Sequence, residues 1–250
     1  MFRKYSNEKA IKYWSTAASE LRQQSYEQIA EVSDKARSLL PHLNDISHHA
    51  DHVLRLPRIG TNHYQPPKDA DFSWRPPAWR AEIAQKGYAS VASSAPMGRG
   101  LKLFHDCPHG EIALRQVRNS SSTDLAPFGV SVEVFDFAGT FLSFALELPD
   151  EALTDLSARK ILQVDGVFSV ERPLGLFVRL NIQHGPNVEQ VLNTVPLDQG
   201  EVSLEFYLGY LKLNEKRMQR AWLDIIFENP KMNAVTLRDF LVHRRPRAQY

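Results

Sequence analysis

Leu176-Phe177-Val178-Arg179-Leu180-Asn181-Ile182-Gln183-His184 decides the fold. Its aliphatic residues at 176, 178, 180 and 182 alternate with Phe177, Arg179, Asn181 and Gln183, the two-residue rhythm of a strand with one face in a core and the other toward water. Outward from this stretch the rhythm recurs. Val130, Val132 and Val134 oppose Ser131, Glu133 and Phe135, and Leu142, Phe144, Leu146 and Leu148 oppose Phe141, Ser143 and Glu147 after a turn near Ala138-Gly139. Leu162, Val164, Phe168 and Val170 make another apolar face. Val202, Leu204, Phe206 and Leu208 oppose Ser203, Glu205 and Tyr207, while Leu223, Ile225 and Phe227 oppose Trp222, Asp224 and Glu228. Further strands are expected over residues 101–105, 111–118 and 235–243. About ten short strands, each with one apolar face and no helical crossover, predict a mainly β fold: an antiparallel β-sandwich of jelly-roll type.

The N-terminal part has a different period. Ile11, Trp14, Ala18, Leu21, Ser25, Ile29, Val32, Ala36 and Leu39 recur at helical spacing, so one apolar stripe marks a long N-terminal helical arm. Pro41 is expected to end or kink it, after which Leu43, Ile46, Ala50 and Val53 resume nearly the same face. Five of the fifteen prolines (57, 66, 67, 76 and 77) then fall with Gly60, Asn62 and Asp71 in a stretch whose fixed φ angles and missing donors suit an extended linker. Its end carries Phe72, Trp74 and Trp79, which would be costly to leave in water and are expected to dock on the β domain. The domains read as a helical arm at 1–56, a Pro-rich linker at 57–80 and a β-sandwich at 81–250.

With 30 Lys+Arg against 29 Asp+Glu the formal charge is +1, so no global field selects a polyanion, and no basic stripe with interleaved aromatics points to nucleic acid. A lone cysteine, Cys107, allows neither an internal disulfide nor an all-cysteine zinc site, and the cytoplasm is the expected compartment. The opening MFRKYSNEKAIKYW lacks the apolar run of a secretory signal, and no run of about 18 apolar residues suggests a membrane span.

LFHDCPHGEIALRQVRN, DLAPFGVSVEVF, VRLNIQHGPNVEQ, NEKRMQRAWLDIIFENPKMN and the closing RRPRA, five strings in order, resemble an uncharacterised bacterial domain-of-unknown-function family. The resemblance spans the linker end and the β region, matches the helix more loosely, and implies no activity, ligand or catalytic residue. The last two strands also resemble the end of galactose-binding-like and carbohydrate-binding jelly rolls, where a Trp-bearing strand precedes one with an Asp near its middle. That second likeness concerns fold.

Three chemistries compete. His105, Cys107 and His109 share one strand parity, which would bring soft and borderline ligands to one side, although Pro108 damages that geometry. The string from Gly100 to Glu111 also resembles a degraded first metal motif of the cupin family, with His105, Cys107 and Glu111 in the ligand places, which implies a metal-dependent enzyme as the alternative. Cys107 as a nucleophile beside His105 or His109 would need an oriented base. No GxSxG, Walker loop, HExxH or GxGxxG supports catalysis. Asp45, His48, His49 and His52 form a polar helix side that reads first as solvated and second as a weak chelator. The basic HRRPR and KRMQR strings suit either phosphate and acidic sugars or an ordinary wet surface.

The polar side of the C-terminal sheet is the leading candidate. Arg179, Asn181 and Gln183 share one side of a strand, and Tyr207, Trp222 and Asp224 join them if their strands lie in the same sheet. An aromatic ring stacks on the C–H face of a sugar while amide, carboxylate and guanidinium groups bond its hydroxyls. The bland alternative is a polar sheet face that receives the helix, whose Trp14 and Leu21 need burial. The expectation is a non-catalytic binding module for carbohydrate or envelope polysaccharide, needing no cofactor. A structural protein that forms homo-oligomers through the N-terminal helix is the other alternative.

Overall fold

The structure is a computed structural model describing residues 4–59, 64–121, 123–198 and 200–247; within the helical part, side chains are described for residues 8–43 and 46. Two compact units result, Met1–Ala50 and Asp51–Tyr250.

Helix α1 (Lys4–Glu20), in the first, is followed by a 3-10 turn at Leu21–Gln23 and by α2 (Tyr26–Ile59), whose residues after Ala50 are counted with the second. The expected single helix through residue 40 is therefore broken at Gln24, whose ψ of 157° is extended. The cause is local. Gln28 N–H donates to Ser25 Oγ (3.4 Å) while Ser25 N–H donates to Gln28 Oε1 (3.0 Å), a reciprocal box that starts a new helix at Tyr26. Pro41 does not end α2, which also runs past Pro57. Asp45, His48, His49 and His52 lie outside the residues whose side chains are described.

The second unit is a jelly-roll-like sandwich of two antiparallel sheets. Its strands are β1 (Phe72–Trp74), β2 (Gly87–Tyr88), β3 (Ala95–Pro96), β4 (Leu101–His105), β5 (Ile112–Arg118), β6 (Phe128–Val134), β7 (Leu142–Glu147), β8 (Lys160–Val170), β9 (Gly175–His184), β10 (Asn187–Thr194), β11 (Glu201–Tyr207), β12 (Met218–Glu228) and β13 (Asn233–Pro246). Short helices α3 (Pro77–Arg80) and α4 (Asp150–Leu153) are interposed. One sheet has the order β11-β8-β13-β6-β5-β2 with β1 added along β13; the other runs β10-β9-β12-β7-β4-β3.

The predicted alternation becomes the core. Leu180, Val178 and Ile182 from β9, Leu223 and Ile225 from β12, Phe144 from β7, Val164 from β8 and Phe206 from β11 are buried between the sheets. The proline-rich stretch contributes directly. Trp79 is fully buried, its Nε1 donates to Leu237 O (2.8 Å), and its ring lies 5.6 Å from that of Phe240. Gly139 is fixed by a close approach: Asp106 accepts from Thr140 N–H (2.7 Å) and Phe141 N–H (3.0 Å), and a Cβ at Gly139 would sit 2.9 Å from the Cys107 nitrogen.

Candidate functional site

The outer side of the six-stranded sheet is assembled by strand register. Asn181 is the Cα partner of Trp222 and of Gln190, Arg179 of Asp224 and Leu192, and Gln183 of Arg220 and Val188. Alternation then places all nine residues on one face, opposite the buried aliphatics. Five of the six residues expected from the sequence, Arg179, Asn181, Gln183, Trp222 and Asp224, are brought together here.

Tyr207 is not. It ends β11, which pairs with β8 in the other sheet, where its hydroxyl donates to Glu205 and its ring faces Tyr210. Periodicity reports which face a residue occupies, and not which sheet its strand joins. The sequence also missed Gln190 and Arg220.

Within the face, Asp224 is the anchor. It is 8% exposed, and its Oδ2 accepts from Arg179 Nη2 (2.7 Å), Arg179 Nε (3.1 Å) and Asn181 Nδ2 (2.9 Å). Asn181, with 0% exposure, accepts at Oδ1 from Gln190 Nε2 (2.9 Å). Asn181 and the Oδ2 of Asp224 thus make their hydrogen bonds inside the protein and hold their neighbours in place. Among the described residues the Arg179 Nη1 donors have no partner, 38% of its side chain is exposed, and Gln183 and Trp222 are half-buried. The Arg220 guanidinium stands over the Trp222 ring at 4.5 Å. Val188 and Leu192 form an exposed apolar border.

The cupin-like alternative is not assembled. Both His105 nitrogens are engaged: Nε2 donates to Val91 O (2.9 Å) and Nδ1 accepts from the Cys107 N–H (3.2 Å). Cys107 is buried with its Sγ toward Asp136 O (3.9 Å), whereas Glu111 and His109 are exposed. The ring therefore orders a proline-containing turn, and the Cys107 thiol's bond among the described residues is to a backbone carbonyl. Among the described residues no three His, Cys, Asp or Glu side chains are grouped to hold a metal.

The basic strings divide. Arg244 is buried, with Nε on Asp71 Oδ1 (2.7 Å) and Nη1 on Ala152 O (3.0 Å), and Arg245 pairs with Glu205. These are fastenings. From the KRMQR string, Lys216 and Arg217 are exposed and enter no ion pair among the described residues.

A second constellation, invisible in the sequence, lies on the outer side of the seven-stranded sheet. Ser73 Oγ hydrogen-bonds His243 Nδ1 (2.8 Å), and His243 Nε2 lies 3.2 Å from Asp165 Oδ2. Burial pushes the Asp165 carboxyl up, but hydrogen bonds from His243, Ser203 and Gln163 outweigh it and hold the carboxyl below its ordinary value. A cavity of about 600 Å³ is bordered by Asp165, Ser203, Asp124 and Arg238, yet neither Ser73 nor His243 lines it. His243 is 1% exposed, with the Tyr64 ring 5.7 Å away. The arrangement fastens β1 to β13.

The fold and site together define a jelly-roll-like β-sandwich with a preorganised polar row on an outer sheet face. The chain belongs to the family of unknown function DUF6478, whose model matches residues 1–250. No curated protein matches the sequence. Similar solved structures include the family 11 carbohydrate-binding module from Clostridium thermocellum in complex with a β-1,3-1,4-mixed-linked tetrasaccharide, with TM-score 0.40, 11% identity, and coverage of 67% of this chain and 100% of that one. The C-terminal family 22 carbohydrate-binding module of Clostridium thermocellum Xyn10B has TM-score 0.38 and 9% identity, covering 74% of this chain and 99% of that one. The enzymatically active domain of bacteriophage CBA120 tailspike protein 4 has TM-score 0.42 and 8% identity, covering 62% of this chain but only 21% of that one.

Proposed function

We propose that the protein is a non-catalytic binding module that holds a carbohydrate chain on the outer face of its six-stranded sheet. The supporting observation is the set of bonds at Asp224, which fixes the Arg179 guanidinium and, through Asn181, the Gln190 amide beside a half-buried tryptophan. A merely wet sheet face needs no buried carboxylate beneath it. A site for polyols gains from one, because donors held in place lose less side-chain freedom when the guest arrives. Trp222 supplies the apolar surface, Arg179, Gln183 and Gln190 the first contacts, and Asn181 and Asp224 the support.

Affinity electrophoresis through gels containing mixed-linkage β-glucan, xylan or β-galactan tests this reading. Wild-type retention on at least one polymer is expected, weakened about tenfold or more by Trp222→Ala with the far-UV spectrum unchanged. Retention unaffected by Trp222→Ala, or wild-type retention on none of the polymers, overturns it.

A second reading is favoured by one observation: Leu40, Leu43 and Ile46 on α2 are exposed, Ile46 by 66%. Such a stripe suits self-association. A fall in sedimentation mass for Leu40→Glu/Leu43→Glu would support it, and an unchanged monomeric mass would remove it.

A further inference from the structure

Where β9 turns into β10, the sandwich carries a cavity of about 590 Å³ whose lining includes His184, Asn187, Lys212, Asn214, Lys216 and Arg217. The lining is lopsided in charge. Lys212, Lys216 and Arg217 are exposed and enter no ion pair among the described residues. The one carboxylate in the lining, Glu215, accepts the Ala158 N–H at 2.9 Å. In a chain of net charge +1, three unpaired cations around one hollow are a local field that the composition does not announce.

His184 adds an independent sign. Its Nδ1 accepts from the Asn214 N–H (3.3 Å), so in the neutral ring Nε2 carries the proton. The side chain is 4% exposed, and Nε2 is the one buried side-chain nitrogen or oxygen among the described residues without a hydrogen-bond partner. A buried donor without an acceptor is costly. The exposed cations at the rim ask for a negatively charged oxygen, and beside the same hollow the enclosed His184 Nε2 is a buried donor that the fold leaves short of an acceptor.

The cavity lies at the end of β9 that adjoins the sheet-face row, with His184 itself on the core-facing parity of the strand. His184 and Met218 are Cα partners, and Gln183 and Arg220 are the next pair toward Asn181 and Trp222. From Trp222 to Arg217 is five residues of strand and turn, roughly 17 Å. We propose that this cavity binds an oxyanion substituent, a carboxylate or a phosphate ester, borne by the same polysaccharide whose sugar rings lie along Trp222. This rests on the glycan reading above and adds that the glycan is acidic.

Two measurements separate the inference from its premise. In ¹H–¹⁵N NMR titrations with inorganic phosphate and with glucuronate, saturable shifts are expected at His184, Asn214, Lys216 and Arg217, and their absence in Lys212→Gln/Lys216→Gln/Arg217→Gln. Shifts that do not saturate, or that persist in that variant, overturn the site. A larger response to one probe identifies the carboxylate or the phosphate as its source.

In affinity gels, the wild type is expected to bind polygalacturonate about tenfold tighter than the same polymer after carboxyl reduction. The triple variant should bind both alike, and Trp222→Ala should weaken both. Equal wild-type retention on the two polymers, lost in Trp222→Ala, overturns the oxyanion inference while the glycan reading stands. Retention on both that ignores Trp222→Ala overturns the glycan reading and this extension of it.

Discussion

Removing one member of the Arg75–Asp239 pair should be among the most damaging single changes to the sandwich. Arg75 Nε donates to Asp239 Oδ1 (2.9 Å) and Nη2 to Oδ2 (2.8 Å), with side-chain exposures of 1% and 8%. The bond ties the proline-rich stretch across the outer side of the seven-stranded sheet, and the Tyr64 ring caps the guanidinium at 5.0 Å. Truncating one partner of a buried pair strands the other charge and costs about 3–5 kcal/mol. At about 2–4 °C per kcal/mol for a domain of this size, Asp239→Leu should lower Tm by roughly 6–20 °C. Burial raises the Asp239 carboxyl above its ordinary value despite the opposing Arg75 charge, so the pair does not fully repay its desolvation. Arg75→Met/Asp239→Leu should therefore recover part of the loss, the remainder including about 0.5–1 kcal/mol for the contact with Tyr64 and the Phe240 N–H bond to Asp239 Oδ1 (2.8 Å). Arg75→Met alone should hurt less as pH falls, since a protonated Asp239 tolerates its site, whereas Asp239→Leu should show no such relief. Differential scanning calorimetry decides the matter. A loss below about 3 °C for Asp239→Leu, or a double variant worse than either single one, would refute the reasoning.

The remaining expectations are smaller. Gly139→Ala forces a methyl against the Cys107 nitrogen and the Asp106 carboxylate and should cost about 1–3 kcal/mol, read as a shifted urea midpoint; an unchanged midpoint would count against the packing there. The Asp165 carboxyl is held below its ordinary value of 3.8, so its stabilising contribution is present above that pH and is lost as the pH falls below it. Asp165→Asn should accordingly reduce the acid-dependent part of unfolding below about pH 4, and acid titrations that superimpose on those of the wild type would contradict the assignment. Ser25→Ala removes one half of the reciprocal cap at the start of α2 and should cost about 1 kcal/mol, seen as reduced helical ellipticity on warming; identical curves would argue that the break at Gln24 has another cause.

How far the sequence could be read depends on the quantity that periodicity measures. Val178, Leu180 and Ile182 had to face a core because alternation fixes the face, and the strands β7, β8, β9, β11 and β12 were legible for that reason. In β10, Val188, Val191 and Leu192 break the alternation of an edge strand with little burial, so the strand and its Gln190 escaped notice. The face of Arg179 and Trp222 was legible, whereas the separation of Tyr207 from it depends on β11 pairing with β8 alone. The bond between Ser73 and His243 joins positions 170 residues apart, and no local pattern announces it. Phe72, Trp74 and Trp79 announced the docked end of the proline-rich stretch, but the prolines at 76 and 77 hid its strand and short helix, because Phe72–Trp74 needs only one partner strand and Trp79 only a pocket.

The two outer faces show why residue type alone does not reveal a site. On the seven-stranded sheet, Asp239 and His243 are covered by the protein's own Arg75, Ser73 and Tyr64, while Asp165, which borders the cavity there, is bonded by His243, Ser203 and Gln163. On the six-stranded sheet the same kinds of group make a network that stops short: Asp224 holds Arg179 from below, yet the Nη1 edge of that guanidinium has no partner among the described residues. A polar face whose bonds are completed internally contributes to stability. One whose support is buried and whose outer donors are unused is what the proposed binding face requires, and Asp224 beneath Arg179 supports that proposal more than the exposure of either residue.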